Sequence, residues 1–440
     1  MIHRTALLRD LKPQLRLLED DLRRRSADVP EFGETLHLEW EDAKQSNRTA
    51  ASYDTWLDDR VTQSAVAWIL ATVFVRFCED NGLIDLPVIA GPGDRLAIAG
   101  ERQNEFIAEN RATTDRDWIL QGIKALSVSR VAAGLFDEAH NSMWTVTPSH
   151  DAAKALLAFW RRRAESGAIV HDFTEPDWNT RFLGDLYQDL SDHAKKTYAL
   201  LQTPEFVEEF ILDYTFTPAI EEFGLTPDPP EARPDLPSLL RVIDPTCGSG
   251  HFLLGAFHRL LEQWEKKAPD ADRWEQISRA LSSVHGVDKN PFAAAIARFR
   301  LLIAAMKAAN EKRLASAPNF PINVAVGDSL LHGRGGPGIQ IEFDLMNHAG
   351  SQTHTYVTED IQDYNKVDIL GLGSYHVVVG NPPYITVKDK QENENYRKAY
   401  SSCSGKYALS VPFAERFFQL ARPGDLDRRG SGYVGQITAN

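Results

Sequence analysis

Cysteine is scarce in this chain: three residues in 440, Cys78, Cys247 and Cys403, with neither CxxC spacing nor an even count. That excludes a disulfide framework, argues against a zinc site, and predicts free thiols in a reducing cytoplasm. Long apolar runs are also missing. The longest, Ala65 to Val75, is too short to cross a bilayer and is flanked by Arg60, Arg76 and Glu79. Met1 to Arg25 is thick with charge, which leaves no apolar segment for a secretory leader. Positive charge is in deficit too, with 48 basic against 62 acidic residues and a net charge of −14. Such a balance opposes strong nonspecific DNA binding by the chain as a whole, but leaves room for a local basic groove. Arg23-Arg24-Arg25 and Arg161-Arg162-Arg163 fit either such patches or solvated helix faces. Internal repeats and low-complexity tracts are absent.

The length accommodates two or three domains, each with a sizeable core. A mainly helical N-terminal domain is expected over residues 1–178. Leu7, Leu11, Leu15 and Leu18 recur at helical spacing, and Val61 to Phe77 has the density of a buried helix stopped near Gly82. The stretches around 90–115 and 165–180 are polar with Gly and Pro, and read as loops or a linker. No chemistry is placed in this half. Glu39, Glu41 and Lys44 have the wrong spacing, and a helical context, for a nuclease of the Glu-x-Lys type.

The pattern changes from Asn179 onward, where a second domain, 179–440, is expected. Thr203-Pro204 reads as an N-cap followed by a proline in the first helical position. The helix it opens places Phe206, Phe210, Ile211 and Tyr214 on one face. After a Pro-rich connection, the apolar segments Leu239–Ile243 and Ser283–Val287 end at Asp244 and Asp288, and Val324–Val326 precedes Asp328. Between them lie helices striped by Leu253, Leu254, Phe257, Leu261 and Trp264, then by Ile296, Phe299, Ile303 and Met306. Strands alternating with helices predict an α/β, doubly wound, Rossmann-like parallel sheet.

Four places on that sheet carry chemistry. Gly248-Ser249-Gly250 lies between a strand and a helix, where glycines permit a tight turn and close approach of a ligand to the backbone. Leu253 takes the third glycine position of G-x-G-x-x-G, so a pyrophosphate grip is not predicted. A plain strand–helix turn is the simpler alternative. Asp288 suits the two hydroxyls of a ribose, or else an acidic cap for Asn290-Pro291. Asp328, in Gly-Asp-Ser, suits a ligand or an ordinary turn. The most specific segment is Val377-Val378-Val379-Gly380-Asn381-Pro382-Pro383-Tyr384. There a β-branched strand stops at a carboxamide, two rigid prolines without N–H groups, and an aromatic ring. That set suits a planar base bearing an amine.

Taken together, these residues resemble the S-adenosylmethionine-dependent adenine-N6 DNA methyltransferases. Their order matches the class whose cofactor motifs precede the catalytic one, as in type I modification subunits and restriction–methylation fusions. Asn381, Pro382, Pro383 and Tyr384 match the catalytic motif in full, and Asp244 to Phe252 looks like the first cofactor motif, including Thr246, Gly248, Gly250 and Phe252. The resemblance implies that Asp288 holds the cofactor ribose, that Asp328 takes the amine of its adenine, and that Thr203-Pro204 holds its methionine end. The family usually carries an aromatic residue before that Thr-Pro, where this chain has Gln202; Thr217-Pro218 is a competing position. Phe182 to Leu190, running on to Lys195-Lys196-Thr197-Tyr198, is similar to the large adenine methyltransferases of phage-exclusion (BREX) and phage-growth-limitation systems.

Implied with the family are S-adenosylmethionine as cofactor, double-stranded DNA with a flipped adenine as substrate, and defence-system proteins as partners, with no membrane. Further sheet strands and a target-recognition domain are also implied. The chain reaches Asn440 without them and is therefore read as a fragment whose sheet edge is open to association. Gly333 to Gly338 and the polar stretch to Asp363 read either as a loop near the site or as a plain surface insertion. Two alternatives remain. Methyltransferases acting on the glutamine amide of release factors share Asn-Pro-Pro-Tyr, and a truncated fold could bind cofactor as a scaffold without turnover.

Overall fold

The computed structural model describes residues 2–192, 195, 202–226, 239–333, 369–425 and 430–438. These gather into two compact units that interleave in sequence. The first is Met1–Leu38, Tyr53–Thr197 and Leu302–Asn319; the second is Glu39–Ser52, Tyr198–Leu301 and Phe320–Asn440. Neither unit is one continuous stretch of chain.

In the first unit, the leucine repeat becomes helix α1 (Arg4–Asp28), whose buried stripe is Leu7, Leu11, Leu15, Leu18 and Leu22. Helix α2 covers Pro30–Gln45, its residues from Glu39 on belonging to the second unit. The dense apolar segment lies within α3 (Tyr53–Asp80), buried on all sides from Arg60 to Asp80 and followed by Gly82 at φ 71°. By length and composition α3 could cross a membrane, yet its apolar window is fully buried inside the protein. The expected loop at 90–115 needs correction: α4 occupies Arg95–Glu109. Its polar surface disguises a narrow buried stripe of Leu96, Ala99 and Gln103. The capping box of Thr114 and Asp117 then opens α5 (Asp115–Leu126). Short α6 (Arg130–Ala133), α7 (His150–Trp160) and α8 (Phe182–Asp189) follow.

Charge sits in the middle of this unit. Arg76, Glu79 and Asp80 all have fully buried side chains. Arg76 donates to Asp80 at 2.6 Å and to the His171 carbonyl at 3.0 Å. Glu79 accepts from three consecutive backbone N–H groups, those of Val88, Ile89 and Ala90, at 2.5, 2.6 and 3.1 Å.

The second unit is built on a five-stranded parallel sheet in the order β3-β2-β1-β4-β5. Its strands are β1 (Val242–Asp244), β2 (Val284–Asp288), β3 (Asn323–Val326), β4 (Val377–Gly380) and β5 (Tyr433–Gln436). The fold is α/β and doubly wound. Strand β4 is fully buried, and Val378 joins a core with Ile243, Val287, Ala325 and Phe417, so Val377 and Val379 serve the opposite face. The valine run is the signature of a strand covered on both sides.

Helix α9 (Glu205–Phe223) packs on β4 and β5, α10 (His251–Lys267) on β1 and β2, and α11 (Arg273–Ser282) on β2. After β2 comes α12 (Pro291–Ala308). Beyond β4 lie α13 (Lys390–Ala399) and α14 (Ser410–Leu420). Two readings around α9 change. Pro204, not Thr203, is its N-cap, with Val207 and Glu208 donating to the Pro204 carbonyl. The expected aromatic face exists but faces outward, with Phe206, Phe210 and Tyr214 72%, 60% and 70% exposed. Leu212, Thr215, Phe216 and Ala219 form the buried stripe instead. Regular spacing locates a helical face, but not whether the chain covers it.

Strand order reverses between β1, which leads on to β2 and β3, and β4, which leads to β5. At such a switch point, the loops leaving adjacent strands diverge and open a crevice at their carboxyl ends. The Pro-rich connection from residue 227 on, the Lys196-Thr197-Tyr198 stretch and, apart from Gly333, the expected loop to Asp363 lie outside the described residues.

Candidate functional site

Three consecutive strands of the sheet end in the same way. Asp244, Asp288 and Asp328 each turn one carboxylate oxygen back to the N–H two residues on, at Thr246, Asn290 and Leu330, with distances of 2.9, 2.8 and 2.9 Å. This local ring terminates a strand and fixes the carboxylate plane, leaving the second oxygen to be used elsewhere. Further bonds tie the three ends into one edge. Gly248 donates to Asp288 Oδ2 at 2.8 Å, Gly327 donates to the Asp288 carbonyl at 3.0 Å, and Ser329 Oγ donates to the Pro245 carbonyl at 2.7 Å.

The glycine turn leaves β1 as the motif predicts. Gly248 and Gly250 take φ values of 52° and 82°, which side-chain-bearing residues rarely adopt. Arg300 on α12 donates to the Ser249 carbonyl at 2.7 Å from a buried position, bracing the turn from behind. Phe252 lies on the buried stripe of α10 at 2% exposure, so its ring fills core beneath the turn.

Acid is concentrated here under low solvation. Burial raises Asp244 to about 7, the charge of Asp288 adding to the rise while two Thr246 bonds oppose it. Burial likewise raises Asp288 to about 6, against the N–H groups of Asn290 and Gly248. Two neighbouring carboxyls pushed upward together mark a place where a cationic, hydroxyl-rich ligand would be welcome.

Strand β4 brings the carboxamide to this edge. Gly380 approaches the end of β1 so closely that a Cβ there would lie 2.7 Å from Asp244 Oδ1 and 2.8 Å from Thr246 Oγ1. Asn381 follows, half-buried. Its Nδ2 reaches Thr203 Oγ1 at 3.4 Å, and its Oδ1 accepts from the Tyr384 hydroxyl at 2.8 Å. The Asn381 amide therefore bridges the upstream Thr-Pro and the ring of its own motif. Burial raises Tyr384 above the ordinary tyrosine range, so the phenol stays a donor. Thr203 through Tyr384 thus meet on one edge although 178 residues separate Thr203 from Asn381. Thr217, the competing position, instead accepts from Arg259 at 3.2 Å on an exposed part of α9.

Several residues at this edge carry no recognised motif. Lys289 Nζ lies 3.3 Å from Asp328 Oδ2 and 2.8 Å from Glu392 Oε1, and the Tyr396 hydroxyl donates to Asp328 at 2.5 Å. The one sequence signal for Tyr396 is a lone aromatic within the polar run Lys390–Lys398.

Comparison with known proteins agrees with the motif reading. Residues 282–440 match the Eco57I restriction-modification methylase family. Adenine-specific methyltransferase PglX of Streptomyces coelicolor is 50% identical over 453 aligned residues, covering 100% of this chain and 36% of PglX. Adenine-specific methyltransferase BrxX of Escherichia coli is 22% identical over 300 residues, covering 56% of this chain and 24% of BrxX. Among solved structures, the ATP-dependent Type ISP restriction-modification enzyme LlaBIII bound to DNA aligns with 99% of this chain and 25% of its own, at 15% identity and a TM-score of 0.46. The chain spans about a third of PglX's length. Along all of its own length it is similar to an adenine-specific methyltransferase, as the residues around Asp244 and Asn381 imply.

Proposed function

We propose that this chain carries the cofactor and catalytic sites of a DNA methyltransferase that transfers a methyl group from S-adenosylmethionine to N6 of an adenine flipped out of the duplex. The observation that carries this reading is the convergence of Asn381-Pro382-Pro383-Tyr384 with Asp244, the glycine turn and Thr203 at one switch point.

The residues present fit the cofactor. Asp288 has acceptor capacity for ribose hydroxyls and Asp328 for an amine, while the raised carboxyls at 244 and 288 suit a ligand bearing positive charge. Glycines 248 and 250 leave the turn without side chains, and Thr203 with Pro204 would border the methionine end. When bound, S-adenosylmethionine supplies an electrophilic methyl group on a sulfonium sulfur.

The rest falls to the chain. An exocyclic adenine nitrogen is a poor nucleophile because its lone pair is delocalised into the ring. Asn381 Oδ1 and the Pro382 carbonyl would accept its two N–H bonds and hold the nitrogen closer to tetrahedral, with its lone pair aimed at the methyl group. Prolines 382 and 383 keep that corner rigid. Extruding the base costs roughly a few kcal/mol, and stacking on Tyr384 would offset ~1–3 kcal/mol of it. The Tyr384 hydroxyl donates to Asn381 Oδ1 at 2.8 Å. Base entry would replace that bond as the ring turns to stack. Sequence specificity, defence-system partners and a cytoplasmic setting belong to the same proposal.

The test has two stages. Calorimetry should detect S-adenosylmethionine binding by the 440-residue chain, and methyl transfer should then appear on adenine-containing DNA and not on a release factor. Asn381→Ala should abolish transfer while binding persists. Substantial residual methylation would remove Asn381 from its assigned role, and transfer to the release factor would favour the glutamine reading.

A further inference from the structure

Asp328 is held from a direction its own motif does not announce. Oδ1 takes the N–H of Leu330, while Oδ2 accepts from the Tyr396 hydroxyl and faces Lys289 Nζ at 3.3 Å. The Tyr396 ring is 1% exposed. Glu392, one turn earlier on α13, has Oε1 2.9 Å from the same hydroxyl. A phenol has one proton and donates to one carboxylate at a time, and Asp328 at 2.5 Å is the nearer. Burial, with the charges of Asp328 and Glu392, drives the Tyr396 pKa well above the ordinary range, so that proton stays in place. Four residues on, the Tyr400 hydroxyl donates to the Leu330 carbonyl at 2.6 Å, so two tyrosines grip the turn that carries Asp328.

The helix bearing Tyr396 is itself fastened. Asp389 caps it at the N–H groups of Gln391 and Glu392, and accepts from the Thr49 hydroxyl at 2.6 Å and from the Ala50 N–H. Asn395 Nδ2 donates to the Asn47 carbonyl at 2.9 Å. A network with this many fixed members holds a carboxylate plane against rotation.

We propose that Tyr396, backed by Lys289, is a positioning residue for recognition of the cofactor purine: it fixes Oδ2 of Asp328 so that the carboxylate's remaining lone pairs meet a 6-amino group. This rests on the reading of Asp328 as the purine-binding carboxylate. Tyr396 touches neither reacting atom and acts through Asp328 alone.

The test compares two probes by calorimetry, S-adenosylhomocysteine and its 6-oxo analogue S-inosylhomocysteine, which lacks the amine. The wild-type chain should prefer the amino ligand. Asp328→Asn should lose most of that preference, and Tyr396→Phe should lower it about tenfold, the worth of one hydrogen bond to a charged group. Tyr396→Phe keeps the buried ring. Should it not fold, Lys289→Met removes the other partner of Oδ2 from a partly exposed position, with a smaller loss of preference expected. A loosened fold would weaken both ligands equally and leave their ratio alone. If Asp328→Asn loses the preference while the folded Tyr396 and Lys289 variants keep it, the positioning role is overturned and the purine site stands. If Asp328→Asn keeps the preference, the purine-site reading fails, and the positioning role with it.

Discussion

In the helical unit, Glu79 is met by three backbone N–H groups and by the charge of Arg76, and Asp80 by Arg76 and the N–H of Phe173. At the sheet edge of the other unit, Asp244, Asp288 and Asp328 each receive one local N–H, and the remaining partners differ from one to the next. The first arrangement closes on itself, because every donor belongs to the surrounding helices and turns. The second spends only part of the acceptor capacity on the fold. Burial lifts the pKa in both places, to about 7 for Glu79 and for Asp244. What differs is who can relieve it. Glu79 is met by three N–H groups and a guanidinium, whereas Asp244 is met, among the described residues, by Thr246 alone, and on the proposed function the cofactor would relieve the rest.

Breaking the closed arrangement should have the largest effect. Arg76→Ala leaves two buried carboxyls without their cation and should cost about 3–5 kcal/mol of stability in denaturant unfolding, while folded protein keeps its S-adenosylmethionine affinity. A loss under about 1 kcal/mol would show that the cluster braces little.

The open arrangement should respond in the opposite sense. Asp244 is raised from 3.8 to about 7, so between those values the folded chain holds a proton that the unfolded chain has released. Stability contributed by this group therefore falls as pH rises through that window. Asp244→Asn removes the effect: its stability relative to wild type should grow from about pH 4 to about pH 7 and then level off, while S-adenosylmethionine binds more weakly. A flat difference across pH would contradict a raised carboxyl, and undiminished binding would contradict a ligand-facing one.

Tyr384→Phe should have the smallest effect. It frees Asn381 Oδ1 and keeps the stacking ring, so DNA affinity should shift by less than about 1 kcal/mol. A shift as large as that of Tyr384→Ala would assign the hydroxyl, not the ring, to base binding.

Much of the sheet was legible because β4 is a run of valines before Asn381, and β1, β2 and β3 are short valine-containing segments that lead to Asp244, Asp288 and Asp328. Periodicity correctly placed α1, α3, α10 and α12. It failed at α4, where few apolar residues face inward, and on α9, where three evenly spaced rings lie outside. Helical spacing states which residues share a face, and tertiary packing decides whether that face is buried. The site divided along similar lines. Asp244 and Asn381 announce themselves through their immediate neighbours, whereas Tyr396 meets Asp328 across 68 residues and has only its isolation in a polar helix to suggest it. Arg300 gave no signal at all, since a guanidinium behind a turn is specified by the fold alone.

The bare α-carbon at residue 380 has a practical consequence. Because a Cβ at 380 would crowd the Asp244, Thr246 and Phe417 side chains, a larger residue there would force one of them to move. If the chain acts as proposed, an engineer wishing to enlarge the donor compartment, or to admit a bulkier acceptor, would have to reckon with that contact in both adjustments.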